Sequence, residues 1–314
     1  MVEIWTMGEL LVEIMRPRPG MQLYECGEFV GPLASGAPAI FADTAARLGH
    51  SSGIIGGVGD DDFGRCILGR LEKDGVCTEY VRRVPNKSTA VAFVTYFSDG
   101  SRKFIFHIDN TPAVMADTAG LEKISSPRFF HVMGCSLMAS EPFRSHIFAA
   151  AELFRAKGAR ITFDPNIRVE LLGERSLDEV IAPIMANCSI LLPGEKELAL
   201  LTGEDESAMG VKKIFDSYPV EIIVLKRGKR GCSVYSKDAA FHIPAYHVDE
   251  VDPTGAGDCF DAGFLCGMLE GRSLEECGQM AAAAGALNAA AFGPMEGNIS
   301  RKAMESLVNG RCFW

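Results

Sequence analysis

Asp252-Pro-Thr-Gly-Ala-Gly-Asp258 is the most informative segment of this chain. It follows a strand-like run and opens a helical pattern that continues toward Glu270. Gly255, Ala256 and Gly257 let the backbone turn closely, so that successive N–H groups at the start of the new helix point to one spot. Unpaired N–H groups and the helix dipole give that spot partial positive charge, and the turn therefore predicts an anion site.

A carboxylate stands in the same first helical turn, at Asp258. A plain phosphate-binding loop would not place a negative charge beside its ligand. The combination is expected where a hydroxyl loses its proton to the carboxylate while a phosphoryl group is transferred in line, with the N–H groups holding the developing charge. We therefore predict that Asp258 is the catalytic base and that Gly255, Ala256 and Gly257 supply the oxyanion site. A capped helix behind a tight turn is the alternative.

The stretch from Asp252 to Leu265 resembles the signature of the ribokinase (PfkB) family of carbohydrate kinases, and the resemblance covers essentially the whole chain. Gly57-Val-Gly-Asp-Asp-Asp-Phe-Gly64 is similar to the family's G-x-G-x-D-x-x-G segment. The resemblance implies an α/β domain with a small β-sheet lid, Asp258 as the base, and ATP with Mg²⁺ as cofactors. Some relatives also carry K⁺ behind the turn at Asp252, and the sequence leaves this third cofactor open.

The pattern of hydrophobic residues predicts the fold class. From about residue 120 to the end, short β-rich runs alternate with helical patterns, which predicts βαβ units and a parallel sheet with helices on both faces. The predicted strands span residues 129–134, 160–163, 189–192 and 221–226, and residues 145–157 predict a helix. The ligand site of such a sheet lies at the carboxyl ends of its strands.

The first hundred residues predict a second, smaller sheet. Its strand-like runs span residues 10–16, 22–29, 90–97 and 103–108, and the last two flank Ser98-Asp-Gly-Ser101, a strong turn signal. Residues 4–7 predict a further strand, and residues 38–48 form a helical pattern that Gly49 closes. We expect one ribokinase-like α/β domain over residues 1–314, a parallel-sheet sandwich whose lid sheet is formed within about residues 10–31 and 88–109.

Two further segments resemble parts of the family's site. Phe163-Asp-Pro-Asn-Ile-Arg168 is similar to a strand-end segment near the sugar and the transferred phosphoryl group, where Arg168 would grip phosphate in a bidentate manner. A surface ion pair between Arg168 and an acid such as Glu170 is the alternative. Lys226-Arg-Gly-Lys-Arg-Gly231 resembles the strand and turn that border the nucleotide. The residues that this resemblance assigns to nucleotide binding are Lys226, Gly228 and Gly231.

Two residues in helical patterns complete the cofactor assignments that the resemblance implies. Glu197 matches the glutamate of the family's N-x-x-E element, which organises Mg²⁺, although Gly194 replaces the asparagine of that element. A helix-start acid is the alternative for Glu197. Asn288 resembles a position near the adenine, and helix packing is its alternative.

The sugar-binding residues are expected on and near the lid. Glu13 stands where many members carry an aspartate that bonds vicinal hydroxyls, Gly36 lies in the second sugar-side segment, and His107 is a further candidate. That second segment has Ile40 where the family has an asparagine, and an aliphatic side chain cannot replace the hydrogen bonds of an amide. We therefore expect contacts to the sugar that differ from those of other members.

The sugar-side segments are most similar to those of bacterial kinases of ketohexoses such as tagatose and of 2-keto-3-deoxygluconate. Kinases of that acid resemble one another in carrying Tyr and Arg on the strand after the hairpin, where this chain has Phe104-Ile-Phe-His-Ile108. We therefore favour ATP-dependent phosphorylation of a neutral keto sugar such as tagatose or fructose. The alternatives are a 2-keto-3-deoxygluconate kinase, in which Arg102 or Arg168 would bind the carboxylate, and a non-catalytic sugar or nucleotide sensor.

Composition and charge limit the expected partners to small molecules and a second copy of the chain. The sequence has 31 basic and 41 acidic residues without a Lys/Arg-rich run, so neither nucleic acid nor a membrane surface is expected as a partner. Its 10 cysteines form no C-x-x-C pair, and the first residues lack a basic secretory start, which favours reduced thiols and a cytoplasmic location. An isolated lid sheet exposes edges and an apolar face, so we expect a homodimer through the lid.

Overall fold

Thirteen strands form two sheets in the computed structural model, which describes residues 1–98, 101–173 and 175–310. In chain order they are β1 (Ile4–Met7), β2 (Leu11–Met15), β3 (Val30–Ser35), β4 (Ser52–Gly59), β5 (Cys77–Val84), β6 (Ala90–Tyr96), β7 (Arg102–His107), β8 (Phe129–Met133), β9 (Arg160–Asp164), β10 (Cys188–Leu191), β11 (Ile222–Lys226), β12 (Cys232–Ser236) and β13 (Ala240–Ile243). Nine of them form a sheet in the order β13-β12-β11-β10-β9-β8-β1-β4-β5, and four form a separate sheet in the order β3-β2-β6-β7.

Helices cover both faces of the larger sheet. In chain order the helices of the described residues are α1 (Ala37–Arg47), α2 (Asp62–Asp74), α3 (Gly134–Ala139), α4 (Glu141–Ala156), α5 (Val169–Leu172), α6 (Leu177–Met185), α7 (Glu195–Thr202), α8 (Ser207–Ser217), α9 (Ala256–Leu269), α10 (Leu274–Ala289) and α11 (Arg301–Val308). One core packs α1, α2, α9, α10 and α11 against the sheet, and a second core packs α3, α4, α6, α7 and α8 against its other face. Within the described residues, no helix has the length and apolar character that a membrane span requires.

The larger sheet is parallel from β5 to β11, and β12 and β13 then alternate in direction. Because both faces are covered, its inner strands, such as β8, β10 and β11, are mostly apolar, whereas the edge strand β5 carries Glu79, Arg82 and Arg83. In β11, Ile222 and Val224 point into the first core, while Ile223 and Leu225 point into the second. The period of two along each strand therefore divides one apolar run between two cores.

Glycines allow α9 and α10 to pack closely, which matters because α9 carries the predicted base at its start. A Cβ on Gly263 would lie 2.9 Å from the carbonyl oxygen of Met280, and a Cβ on Gly267 would lie 3.0 Å from Cys277 Sγ. Larger residues at these positions would push the two helices apart. The backbone of α9 is thus held against α10 and the sheet, and its first turn has a fixed place at the carboxyl edge.

The smaller sheet has two faces of different character. Glu13 of β2 pairs with Ala92 of β6, which pairs with Phe106 of β7, so these three side chains share one face. Phe93 and Ile105, one position along, share the opposite face. The first face looks into the cleft described below, and the second faces outward.

The predicted α/β class, with a mostly parallel sheet and a separate small sheet, is confirmed. The strands predicted at 129–134, 160–163, 189–192 and 221–226 correspond to β8, β9, β10 and β11 within one residue at each end. The helix predicted at 145–157 is part of α4, which begins earlier, at Glu141. That the chain forms one domain over residues 1–314, and that the small sheet works as a lid, remain predictions.

The strand predicted at residues 22–29 is wrong. That segment is irregular, because the guanidinium of Arg16 donates to its carbonyls, at 3.2 Å to Gln22 O and 2.9 Å to Glu28 O, in place of a strand partner. The strand lies instead at Val30–Ser35, so the small sheet extends past the boundary predicted at residue 31. The predicted turn residues Asp99 and Gly100 lie outside the described residues.

Gly134 tests how closely α3 approaches the end of β9. A Cβ there would lie 1.8 Å from the carbonyl oxygen of Pro165, so Gly134→Ala is expected to lower the free energy of unfolding by at least about 1–3 kcal/mol, measured by urea denaturation. Gly69→Ala in α2 is the matched control. Nothing lies within 4 Å of its Cβ position, and the change is expected to stabilise by about 0.5–1 kcal/mol. Equal effects of the two changes would contradict the close approach.

Candidate active site

A cleft lies between the smaller sheet and the start of α9, where a small molecule could bind. Five residues predicted for the site contribute to its wall. They are Glu13, Gly36, Arg168, Gly255 and Asp258. These residues come from β2, from the positions before α1 and α5, and from the first turn of α9 and its cap, so the fold gathers parts of the chain that are far apart in sequence.

The turn before α9 is fixed by the carboxylate of Asp252. Its Oδ1 accepts hydrogen bonds from the N–H of Thr254 at 2.9 Å and from the hydroxyl of Thr254 at 2.6 Å, and its Oδ2 accepts from the N–H of Gly293 at 2.9 Å. Gly255 has a φ of 76°, and a Cβ there would lie 2.5 Å from the carbonyl oxygen of Pro294. Only glycine fits this position.

The smaller sheet is hydrogen-bonded to the same turn. The hydroxyl of Tyr96, at the end of β6, bonds Oγ1 of Thr254. Because the Thr254 hydroxyl gives its one hydrogen to Asp252, Tyr96 is the donor in this pair. The wall of the cleft formed by the small sheet and the wall formed by the turn are therefore connected directly.

Three N–H groups at the start of α9 have no acceptor among the described residues, namely those of Gly255, Gly257 and Asp258. Ala256 differs from the prediction, since its N–H donates to the carbonyl oxygen of Pro253 at 3.2 Å. The predicted oxyanion site thus consists of three N–H groups, and Ala256 contributes to the shape of the turn.

Asp258 is almost completely buried, with 8% of its surface exposed, and it opens into the cleft. Its Oδ1 accepts a hydrogen bond from Asn166 Nδ2 at 3.3 Å. Burial, and after it the Asp164 carboxylate, raise the pKa of Asp258 to about 8, although the charge of Lys226 opposes the rise. A carboxyl group in this setting binds a proton far more readily than one in water, as a general base must.

Glu13 has the features expected of a ligand for a sugar hydroxyl. Its Oε1 accepts a hydrogen bond from the hydroxyl of Ser35 at 2.8 Å, and its buried Oε2 has no partner among the described residues. Burial raises the pKa of Glu13 to about 7, against the effect of the Ser35 hydrogen bond. A buried oxygen without a partner is costly unless a ligand satisfies it.

Glu9 is a cleft residue that sequence reasoning missed. It is 6% exposed, its Oε1 accepts from Cys135 Sγ at 3.1 Å, and its Oε2 accepts from the hydroxyl of Ser136. Burial raises the pKa of Glu9 above its usual range, although the Ser136 hydrogen bond opposes the rise. A signal existed, because Glu9 follows β1 closely and the carboxyl ends of parallel strands line the site of such a sheet.

Arg168 and Arg102 both line the cleft. Their guanidinium carbons lie 5.9 Å and 5.3 Å from the centre of the Phe104 ring, and neither forms an ion pair with a described acidic side chain. The side chain of Glu170, the alternative partner of Arg168, lies outside the described part of the chain. Two cations therefore face the cleft without acidic partners among the described residues.

The nucleotide assignment of Lys226 is corrected by its surroundings. Its Nζ lies 2.8 Å from Asp164 Oδ2 and 3.2 Å from Asp261 Oδ1, so the ammonium is occupied by two carboxylates. Burial disfavours its charge, but Asp164 and Asp261 outweigh burial and raise the pKa of Lys226. Gly228 and Gly231 shape the turn after β11, with φ values of 55° and 86°, and do not line the cleft. Their assignment to the nucleotide remains a prediction.

Asn288 is fully buried, and its Nδ2 donates to the carbonyl oxygen of Thr254 at 2.7 Å, so it supports the turn before α9. Its assignment to the nucleotide remains a prediction. Its Oδ1 has no partner among the described residues. A buried amide oxygen beside the Asp252 turn fits the kind of ligand that K⁺ takes.

His107 is on the wrong face of β7 to bind a sugar in the cleft. It is exposed, pairs with Val91 of β6, and makes an edge-on contact with the Phe93 ring at 6.0 Å on the outward face. Phe104 and Phe106 of the same strand line the cleft. The period of two along a strand places His107 opposite to them, and the prediction was wrong because it did not fix which residues face inward.

Glu197 lies in the first turn of α7, and both of its carboxylate oxygens accept backbone hydrogen bonds. Oε1 accepts from the N–H of Ile167 at 2.9 Å, and Oε2 accepts from the N–H of Gly194 at 2.7 Å. Burial raises the pKa of Glu197, and the nearby Asp164 carboxylate adds to the rise. Each oxygen keeps a lone pair, so the residue fits an Mg²⁺ that binds mainly through phosphates and water. The three free N–H groups of the α9 turn fit the phosphates of ATP.

Comparison with known proteins assigns the family. Residues 29–301 match the model of the pfkB family carbohydrate kinases. The fructokinase of Klebsiella pneumoniae is 33% identical over 267 residues, which cover 85% of this chain and 84% of that protein. The fructokinase of Salmonella typhimurium is 31% identical over 304 residues, which cover 93% of this chain and 95% of that protein.

Solved structures agree over nearly the full length. A crystal structure of "a putative Ribokinase II" from E. coli has a TM-score of 0.92 and 36% identity, covering 99% of this chain and 100% of that one, and its complex with ATP and Mg²⁺ has a TM-score of 0.91. A fructokinase from Vibrio cholerae O395, bound to fructose, ADP and potassium ion, has a TM-score of 0.83 and 26% identity, covering 98% of each chain. The chain belongs to the PfkB family of carbohydrate kinases.

Proposed function

We propose that this chain transfers the γ-phosphoryl group of ATP to a hydroxyl of a neutral keto sugar of the fructose or tagatose type. The observation that carries the proposal is the cleft beside the buried carboxylate of Asp258. Within the described part of the chain, three N–H groups there have no acceptor and Oε2 of Glu13 has no partner. The relatives named fructokinase, and the Vibrio cholerae O395 enzyme bound to fructose and ADP, support a keto sugar as the acceptor.

On the donor side, Asp258 removes the proton from the attacking hydroxyl, because its buried carboxylate holds a proton readily. The N–H groups of Gly255, Gly257 and Asp258 stabilise the charge on the transferred group without having to reorient. Bound ATP with Mg²⁺ supplies the phosphoryl group and offsets its negative charge. Arg168, which lines the same cleft, adds a fixed positive charge.

On the acceptor side, Glu13 orients the sugar. Its Oε2 accepts a hydrogen bond from a hydroxyl, while Ser35 holds Oε1 in place. Gly36 lets the start of α1 pass close to the backbone at Glu9, since a Cβ there would lie 2.4 Å from the carbonyl oxygen of Glu9. Ile40 supplies only apolar contact. The pattern of bonded hydroxyls therefore depends on carboxylates more than on amides.

A second candidate acceptor is an acidic keto sugar such as 2-keto-3-deoxygluconate. The observation that favours it is the pair of arginines, Arg102 and Arg168, which face the cleft near the Phe104 ring without acidic partners among the described residues. A carboxylate on the substrate would satisfy both. The neutral acceptor remains the main proposal, because the phosphates of ATP offer Arg168 an anion in every catalytic cycle.

The outward face of the small sheet supports the proposal that the chain forms a homodimer. Ile105 is 42% exposed and Phe29 is 37% exposed, and the partly exposed Phe93 ring lies 5.9 Å from that of Phe29. An apolar sheet face with open edges is best covered by the same face of a second copy.

Two further features belong to the proposal. K⁺ would bind behind the Asp252 turn, near the unpaired Oδ1 of Asn288. The location would be cytoplasmic, which is supported by the free thiols of the described cysteines.

Asp258→Asn is expected to lower kcat by about 10²- to 10⁴-fold, because the amide cannot accept the proton. Sugar-dependent ADP release from ATP is the measurement. Equal activity of the two proteins would contradict the mechanism, and absence of activity from the wild type with every sugar tested would favour a non-catalytic sensor.

The pH profile provides a second readout for the same change. With both substrates below saturation, the wild-type kcat/KM should rise with pH up to about 8, since the pKa of Asp258 is raised to about 8 and only the deprotonated group is a base. The residual activity of Asp258→Asn should lack this rise. A wild-type profile that is flat between pH 6 and 9 would argue against Asp258 as the base.

The acceptor can be identified with Arg102→Met. For a neutral keto sugar, kcat/KM should fall less than about fivefold, whereas loss of a charged hydrogen bond to a carboxylate should cost about 10- to 150-fold. A coupled assay with fructose, tagatose and 2-keto-3-deoxygluconate measures both. Lys103→Met is the control, because this neighbour on β7 is exposed on the outward face. Strong preference for the acid, lost in Arg102→Met alone, would replace the main proposal with the second candidate.

Ile105→Asp tests the dimer. Placing a charge on the outward face should convert a dimeric wild type to a monomer in light-scattering measurements. Leu200→Asp is the control, since Leu200 is an equally apolar side chain, 60% exposed, on α7. A monomeric wild type, or equal dissociation by both changes, would contradict the predicted interface.

A further inference from the structure

A cluster of charged side chains lies buried beneath the α9 turn and is not used by the mechanism above. Lys226 Nζ lies between Asp164 and Asp261, which are 3% and 0% exposed. Charges buried in this way contribute little to stability, because the loss of hydration offsets their attraction. The cluster is therefore better explained by what it holds in place.

One connection runs from Lys226 through the end of β9 to the base. Asp164 Oδ2 accepts a hydrogen bond from Lys226 Nζ, and Asp164 Oδ1 accepts one from the N–H of Asn166 at 3.1 Å. Asn166 has a φ of 34°, a left-handed conformation that asparagine tolerates better than most residues, and its Nδ2 donates to Asp258 at 3.3 Å. Among the described residues, this amide makes the only hydrogen bond to the Asp258 carboxylate.

A second connection runs along α9 itself. Asp261 lies three residues after Asp258 and so shares its face of the helix. The ion pair between Lys226 and Asp261 restrains the first turns of α9 from rotating about the helix axis. In addition, Lys226 Nζ lies 3.9 Å from the position that a Cβ on Gly257 would occupy, so the ammonium sits beside the turn that carries the free N–H groups.

We propose that Lys226 is a positioning residue, which holds the Asp258 carboxylate and the glycine turn in reactive register through Asp164 and Asn166 on one side and through Asp261 on the other. Lys226 does not line the cleft. The inference goes beyond the proposed function but rests on it, because it takes Asp258 to be the base.

The electrostatics agree with this role. After burial, the Asp164 carboxylate is the largest influence that raises the pKa of Asp258, and Lys226 is the largest that lowers it, ahead of Arg168. Glu9 also faces Asp258 and raises its pKa. Lys226 thus both fixes the place of Asp258 and favours its charged form.

Lys226→Met is expected to lower kcat by about 10- to 100-fold, since small misplacements of reacting groups cost about that much. The KM values for MgATP and for the sugar should stay within about threefold, because no ligand contact is removed. Lys226→Arg should recover most of the activity, since its guanidinium can still pair with Asp164. Steady-state kinetics with both substrates varied measure these effects.

Asn166→Gly tests the first connection without disturbing the buried charges. Glycine accepts the left-handed backbone, so the protein should fold normally, and kcat should again fall with the KM values unchanged. In the double variant Lys226→Met/Asn166→Gly, the two losses should not multiply, because both act on the same carboxylate. If Lys226→Met does not fold, the kcat of Asn166→Gly decides the proposal alone.

Glu270→Gln is the matched control, because it weakens another, partly buried network of ion pairs that is far from Asp258. Glu270 follows the other end of α9, about 18 Å along the helix axis from Asp258, and pairs with His50, Arg272 and Arg301. It should lower Tm with kcat changed less than about twofold.

Three results would overturn the proposal: an unchanged kcat in Asn166→Gly, losses that multiply in the double variant, or a raised KM for MgATP at constant kcat in Lys226→Met, which would make Lys226 a nucleotide ligand. A wild type without sugar-dependent ADP release would instead defeat the proposed function.

Discussion

The hydrogen bonds of one carboxylate, that of Asp252, hold the turn on which the rest of the site depends. They fix Thr254 on one side and Gly293 on the other, so that Gly255 can enter the left-handed conformation from which α9 begins. The place where α9 starts sets the direction of its first N–H groups and the position of Asp258, the proposed base, in the cleft. The large parallel sheet contributes a rigid edge. The turn adds the polar groups of the site, namely the N–H groups at the start of α9 and the Asp258 carboxylate.

The site contains more negative charge than an anion-binding cleft would be expected to carry. Glu9, Glu13 and Asp258 all line it, and burial raises the pKa of each. Arg102 and Arg168 line the same cleft, and their charges act to lower the pKa of Glu13, but burial outweighs them. The N–H groups of the α9 turn carry only partial charge. The arrangement favours proton exchange at the carboxylates and leaves the full charge of a polyphosphate to be met by cations that arrive with it.

Features that depend on a few adjacent residues could be predicted, and features that depend on distant partners could not. Residues that are adjacent in sequence are enough to recognise the turn from Asp252 to Asp258. The same holds for the parallel strands and their order along the chain. The face of β7 that looks inward does not, because it is set by pairing with β6, and His107 was therefore assigned to the wrong side. Lys226 and Asn288 occupy positions that suggest ligand contacts, but their partners lie elsewhere in the sequence, at Asp164, Asp261 and Thr254.

The hydrogen bond between Tyr96 and Thr254 joins the small sheet to the turn before α9. A ligand that orders the turn would also stabilise this hydrogen bond and, through it, the position of the small sheet. A ligand held by the small sheet would stabilise the turn by the same free energy, because coupling between two sites is equal in both directions. Binding of the sugar would then raise the affinity for ATP, and binding of ATP would raise the affinity for the sugar, without direct contact between the two. The strength of this coupling would depend on the hydroxyl of Tyr96.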